Sequence, residues 1–173
     1  MKEKVIVLDT SAFIAGFDPF LIPEKQYSVP EVKNELNTGT IPWMRFNTAI
    51  DSGKVRIMQP KRSFSKEILE ASKKVGDIRS LSKADLQVLA IALELKSENL
   101  SPLILTDDYS IQNVANKIEI DFSSIMTFGI KFRVKWILYC PACYSKYPSD
   151  YKSNSCEICG IELKRKPKKK TRL

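Results

Sequence analysis

All four cysteines of the chain lie in two Cys-x-x-Cys pairs, Cys140-Pro141-Ala142-Cys143 and Cys156-Glu157-Ile158-Cys159, with twelve residues between the pairs. Two such knuckles present four thiolates to one ion, which fits tetrahedral Zn²⁺ with no open coordination position and therefore a structural role. Gly160 follows the second pair and suits the tight turn a knuckle needs. Disulfides fit poorly in a chain that opens without a secretion signal. A redox Cys-x-x-Cys belongs in a βαβ context and is not duplicated. An iron–sulfur cluster is the remaining thiolate chemistry. A segment of about 30 residues buries too little apolar surface to fold alone, so metal must supply most of its stability, on the order of 10–16 kcal/mol apparent.

Carboxylates form the second reactive set. The apolar run Val5-Ile6-Val7-Leu8 stops on Asp9, and Leu103-Ile104-Leu105-Thr106 stops on Asp107-Asp108. Glu35 and Asp85 sit on helix-like segments between them. Acids delivered to strand ends from distant positions suggest a divalent-cation site, because crowded carboxylates ionise together only when a cation joins them. Each also has a plain structural reading. Asp85 lies three residues after Ser82 and can cap a helix, Glu35 can face solvent, and Asp107-Asp108 can form a turn. The chain has no histidine, which removes histidine bases, histidine ligands and Ser-His or Cys-His nucleophile pairs.

The elements that must position these groups read as an alternation of strand and helix. Strands are expected near Val5–Leu8, Tyr27–Val29, Lys54–Met58, Leu103–Leu105 and, weakly, Ile118–Ile120. Between them, Ala12–Ala15, Glu31–Leu36, Ile41–Asp51, Ser65–Val75, a long segment from Ser82 and Ile111–Asn116 read as helices. A hydroxyl of Thr10 or Ser11 is placed to cap the first of these, and Pro30 suits a first helical position. Leu86, Leu89, Ala90 and Leu93 recur at helical spacing and mark a core face. This alternation predicts a three-layer α/β/α domain with a central parallel sheet over residues 1–128, to which the four-cysteine ribbon is appended. In such sheets ligands bind beyond the carboxyl ends of the strands, where Asp9 and Asp107 stand.

Charge is unevenly spread. Residues 1–130 hold 16 basic and 17 acidic residues, whereas residues 131–173 hold 12 basic and 3 acidic. The basic strand and ribbon (129–163) and the cationic tail (164–173, expected to be disordered alone) thus form an attachment surface for a polyanion. Lys131, Arg133 and Lys135 alternate with Phe132, Val134 and Trp136, giving one basic and one apolar face. No apolar stretch is long enough to span a membrane, and a cytoplasmic protein is expected.

Taken in order, Val7-Leu8-Asp9-Thr10-Ser11, Val32-Lys33-Asn34-Glu35-Leu36, Ser82-Lys83-Ala84-Asp85 and Leu105-Thr106-Asp107-Asp108 resemble the four acidic motifs of PIN-domain ribonucleases. The resemblance covers about the first 125 residues. With the zinc ribbon and lysine-rich tail, the chain is similar to a narrower group, the archaeal-type relatives of the endonuclease that cuts the 3′ end of small-subunit ribosomal RNA precursors. The resemblance implies that Asp9, Glu35, Asp85 and Asp107 are catalytic carboxylates holding Mg²⁺ or Mn²⁺. It gives Thr106 and Ser11 the role of supporting hydroxyls, and Asp108 a supporting place beside the primary set. A cation there activates water for in-line attack on phosphorus. The implied partners are precursor small-subunit rRNA, the pre-ribosomal small subunit and its assembly factors.

RNA would be gripped by the basic residues, including Lys146, Lys152 and the tail. Trp136, Tyr139, Tyr144, Tyr147 and Tyr151 are candidates to stack on unpaired bases, and at least half of them are needed for the ribbon's own core. Two other functions compete: a non-catalytic RNA-binding scaffold on pre-ribosomal particles, and a toxin-type PIN ribonuclease acting on tRNA or mRNA.

Overall fold

A computed structural model describes residues 2–76, 79–125 and 132–172, without the side chains of 132–135 and 169–172. In chain order the first part runs β1 (Lys4–Leu8), α1 (Thr10–Ile14), a 3-10 turn (Pro19–Leu21), β2 (Lys25–Ser28), α2 (Pro30–Glu35), α3 (Ile41–Asp51), β3 (Val55–Ile57), α4 (Arg62–Val75), α5 (Lys83–Ser97), β4 (Ser101–Leu105), α6 (Tyr109–Lys117) and β5 (Asp121–Ser123). The five strands pair in the order β3-β2-β1-β4-β5, and every pairing is parallel.

Strand β1 explains the layering. Val5 and Val7 point to one face of the sheet and Ile6 and Leu8 to the other, yet all four are buried. Both faces are therefore covered, as an all-parallel sheet requires. Phe13 and Phe46 meet edge-to-face at 5.1 Å in one of these layers, and both are fully buried. The chain reverses its direction of growth between β1 and β4, whose ends lie side by side with Leu8 opposite Leu105. That is the switch point at which such sheets leave a crevice.

Local chemistry sets the helix ends around this crevice. Asp9 itself, rather than a hydroxyl, caps α1, its carboxylate accepting from the Ser11 amide. Pro30 occupies the first turn of α2. Helix α4 closes on Gly76, whose φ of 87° satisfies the last carbonyls at no Cβ cost. Helix α5 opens with a reciprocal box between Ser82 and Asp85. The fifth strand falls at Asp121–Ser123 and not at Ile118–Ile120. Helix α6 runs on to Lys117, and Glu119 turns left-handed (φ 56°), so Ile120 is buried in the turn and not in a strand.

The second part is a three-stranded antiparallel sheet, β7-β6-β8, built from β6 (Phe132–Tyr139), β7 (Lys146–Tyr147) and β8 (Lys164–Arg172). Its core is Leu138, Cys140, Cys156 and Leu163 with Tyr147 and Tyr151 against them. The expected boundary near residue 128, and Lys131, lie outside the described residues. The tail from Lys164 to Arg172 is a strand and not disordered, a correction to the compositional reading. Its seven cations repel one another, but pairing along the whole of β6 satisfies the backbone that composition alone leaves without a partner. Pro167 stands opposite Trp136 where the register shifts by one residue, the position at which a strand tolerates a missing N–H. Among the described residues, no helix is long and apolar enough to cross a membrane.

Candidate metal centres

The cysteine centre is assembled almost entirely by its own backbone. Each knuckle makes the same pair of bonds. Tyr144 N donates to Cys140 O and Cys140 N to Ser145 O, while Gly160 N donates to Cys156 O and Cys156 N to Ile161 O, all at 2.8–3.0 Å. The residue after each second cysteine is left-handed, Tyr144 at φ 61° and Gly160 at φ 73°. The four sulfurs lie within 4.8 Å of one another and none is disulfide-bonded. Zn–S bonds of about 2.3 Å in a tetrahedron place sulfurs roughly 3.8 Å apart, so the cluster fits Zn²⁺. The Tyr147 hydroxyl lies 3.1 Å from the Cys156 sulfur, and that hydrogen bond brings the thiol down to about 6, favouring the thiolate a metal needs.

The acidic centre is drawn from elements far apart in sequence. Asp9, at the end of β1, is buried; its Oδ2 accepts from Ser11 Oγ at 2.7 Å and Thr106 Oγ1 at 2.8 Å. Both expected supporting hydroxyls are therefore on Asp9. Asp9 Oδ1 is buried and has no hydrogen-bond partner among the described residues. Burial raises the Asp9 pKa, against those hydrogen bonds. Asp85, also buried, accepts the Ser82 amide at 2.7 Å. Burial chiefly, then the charges of Asp9 and Asp108, raises its pKa to about 6. Glu35, exposed at the end of α2, reaches Thr10 Oγ1 at 2.5 Å, beside Asp9.

At the end of β4 the two neighbouring acids part company. Asp108 caps α6 through the Ser110 amide, its own amide donates to Thr106 Oγ1 at 3.0 Å, and its charge is felt by Asp85. The Asp107 carboxylate accepts from the Ile125 amide at 2.9 Å and from Ser124 Oγ, just past β5, while its amide donates to Ser11 Oγ. The resemblance gives Asp108 a supporting place, and the structure puts it at the N-cap of α6. Among the described residues only the cysteines bring three or more ligand atoms within 4.8 Å, so the acids are gathered more loosely. The donor set still fits a hard divalent cation. It is all oxygen, partly desolvated, and includes one buried carboxylate oxygen that no donor among the described residues satisfies.

The aromatic and basic residues sort into held and open groups. Trp136 lies under the Arg165 guanidinium at 4.3 Å, Tyr139 under the Lys166 ammonium at 4.3 Å, and Tyr147 packs on Tyr151 at 4.6 Å. Tyr144 is 70% exposed. Lys146, Lys152, Lys164 and Lys168 are exposed as well, while the side chains of Arg133 and Lys135 are not among those described.

A family profile described as the PIN domain of ribonuclease matches residues 6–95. The chain is 42% identical to Endoribonuclease Nob1 of Methanocaldococcus jannaschii over 94% of its own length and 78% of that protein. It is 35% identical to Endoribonuclease Nob1 of Methanothermobacter thermautotrophicus (92% and 91% covered) and 34% identical to that of Pyrococcus abyssi (95% and 94% covered).

Proposed function

Because the chain belongs to the Nob1 family of PIN-domain endoribonucleases, we propose that it hydrolyses a phosphodiester in single-stranded precursor rRNA, maturing the 3′ end of small-subunit rRNA with Mg²⁺ or Mn²⁺ at the acidic centre. The observation that carries the cation is Asp9 Oδ1, a buried carboxylate oxygen without a hydrogen-bond donor among the described residues, whose charge is felt by a second buried acid, Asp85.

When bound, a divalent cation supplies an activated water and shields the charge of the scissile phosphate. The chain does the rest. Ser11 and Thr106 fix Asp9 by its Oδ2, leaving Oδ1 to the crevice between β1 and β4. Asp85 and Asp108 bring two further carboxylates, and Glu35 is tied beside them through Thr10. We assign Asp9, Glu35, Asp85 and Asp108 to the cation, and to Asp107 the task of anchoring the β4 end against β5 through Ser124 and Ile125. The acids repel RNA, so affinity comes from the ribbon sheet, whose strand β8 carries seven cations. Exposed Tyr144 is the aromatic that stacks on an unpaired base. Because both parts act on one RNA, the pre-ribosomal small subunit and its assembly factors are the expected setting.

The test is to incubate zinc-loaded protein with a transcript spanning the mature 3′ end, with Mn²⁺, with Mg²⁺ or with neither, and map the product ends. A single cut that requires the added cation is expected. Full-rate cleavage without it would remove the cation from the reading, and preferred cutting of folded tRNA would replace the substrate.

A further inference from the structure

The zinc ribbon grips the loop that delivers Asp85. Ser149 Oγ donates to Lys73 O at 3.1 Å, a carbonyl in the last turn of α4 that also accepts the Gly76 amide. Gly76, three residues on, is buried against the ribbon. A Cβ there would sit 2.9 Å from Trp136 Cβ and 3.0 Å from both Trp136 O and Ser149 Cβ, so the close approach itself needs glycine. Arg79 then spreads its guanidinium over the turn that leads into the second knuckle, donating to Asn154 Oδ1 at 2.9 Å, to Ser153 O at 3.3 Å and to Tyr151 O. Asn154 in turn accepts Leu163 N in the ribbon's core turn.

The next residue carries the connection inward. Ser80 Oγ accepts from Arg165 of β8 at 2.7 Å and from Ser110 Oγ at 3.0 Å, and Ser110 is the residue whose amide is capped by Asp108. Leu81 is buried in the core of the first part, and Ser82 opens the reciprocal cap with Asp85. From Arg79 to Asp85 the chain has no slack. Two ribbon contacts, a core anchor and a cap follow one another in seven residues. A planar five-donor fork that meets three acceptors on a ribbon turn is a positional clamp that a point charge does not reproduce.

We propose that the zinc ribbon is a positioning element of the acidic centre: by holding Arg79 and Ser80 it sets the loop that places Asp85 and steadies Asp108, so cation affinity there depends on the ribbon being folded on its zinc. Arg79 is the positioning residue of this coupling. The inference rests on the proposed cation-dependent nuclease reading and adds a coupling between its two metal centres. Outer partners that orient metal-holding groups commonly change affinity by about 10- to 100-fold, and coupling through packed contacts is usually smaller, so a loss on the order of 3- to 30-fold is expected.

The experiment uses the full chain. Mn²⁺ binding to zinc-loaded wild type, Arg79→Ala, Arg79→Lys and Asn154→Ala is measured by titration calorimetry without RNA, with zinc content checked in each. Cleavage of a single-stranded oligonucleotide too short to span both parts gives kcat and KM. Arg79→Ala should keep its zinc, weaken Mn²⁺ binding and lower kcat with KM little changed; Arg79→Lys should recover only part of the loss. Asn154→Ala should shift Mn²⁺ binding in the same direction, and the double variant should not be additive with the singles. Unchanged Mn²⁺ affinity in a zinc-loaded Arg79→Ala protein would overturn the coupling, and so would a change confined to KM, which would make Arg79 an RNA contact. A wild type that binds no Mn²⁺ and cuts nothing would instead overturn the nuclease reading and this inference with it.

Discussion

The two candidate metal centres are built on opposite plans. The cysteine centre takes its four ligands from residues 140–159 and holds them with backbone bonds inside each knuckle. The acidic centre takes its carboxylates from residues spread between Asp9 and Asp108 and holds them with a five-stranded sheet and three helix caps. The first has a core of only a few residues, so an ion bound there would supply most of its stability. The second rests on a large core assembled without it, and its like charges are a load that the core carries. A local centre would gain stability from an ion; a non-local one would gain function.

The largest test of that contrast is Cys140→Ser. With one thiolate gone, the ribbon should lose zinc and unfold, while the parallel sheet keeps its amide protection; metal content and hydrogen exchange read both. Loss of protection in β1 and β4 together with the ribbon would show that the two parts fold as one unit. Asp9→Asn should do the reverse, leaving stability intact or improved while cleavage of single-stranded RNA falls by more than about 100-fold, beyond what losing an outer partner costs. Residual cleavage near the wild-type rate would take Asp9 out of the centre.

Sharper still is the pair at the end of β4. Asp108→Asn should fall in the Asp9→Asn class, whereas Asp107→Asn should lose about 10-fold or less, through a loosened β5 contact. The opposite ranking in single-turnover rates would exchange their assignments. Sequence could not separate them. Both follow the same apolar run, and which of two adjacent carboxylates enters the crevice is decided by the backbone dihedrals where the strand ends. The cysteine spacing, by contrast, was readable because all the geometry is local. The places of Asp9 and Asp85 were readable because a strand end and a helix start leave signatures, whereas Ser11 and Thr106 as supporting hydroxyls come only with the PIN-domain resemblance. Strand β8 was not readable, since its composition argues for disorder and only β6, some thirty residues upstream, supplies the missing partner. Arg79 left no signature at all, because its three acceptors are backbone and amide oxygens brought near by the fold.

A smaller effect follows from the acidic load. The folded-state pKa of Asp85 is about 6, above its ordinary value of 3.8, so the folded protein holds this proton over a range in which the unfolded chain has released it. Without a divalent cation at the acids, stability is then highest below pH 4 as far as this group is concerned. It should fall as pH rises from about 4 to about 6, by about 1–2 kcal/mol once solvent screening is allowed for. Urea unfolding of zinc-loaded protein in buffer free of other divalent ions should show this slope. Asp85→Asn, which keeps an acceptor for the Ser82 amide, should flatten it. Added Mn²⁺ should offset the loss in the wild type only. A slope unaffected by Asp85→Asn would mean that another acid carries the load.

The smallest expected effect separates stability from function within the ribbon. The two knuckles are the same in backbone, yet the left-handed position holds Gly160 in one and Tyr144 in the other. A side chain in that conformation costs about 1–2 kcal/mol, while glycine loses more freedom on folding, so Tyr144→Gly should stabilise the ribbon by roughly 0.5–1 kcal/mol. With folding and zinc binding coupled, as expected of so small a metal module, zinc affinity should rise about two- to five-fold in chelator competition. Tyr144 is 70% exposed and, among the described residues, is not part of the ribbon core that could offset the strain. If the ring stacks on a base, the same substitution must weaken binding of single-stranded RNA, by about 1–3 kcal/mol. Tighter zinc with weaker RNA would show that the strain is kept for recognition. Tighter zinc with unchanged RNA affinity would leave the tyrosine without that role, and the open face of the first knuckle would then contribute only its lysines.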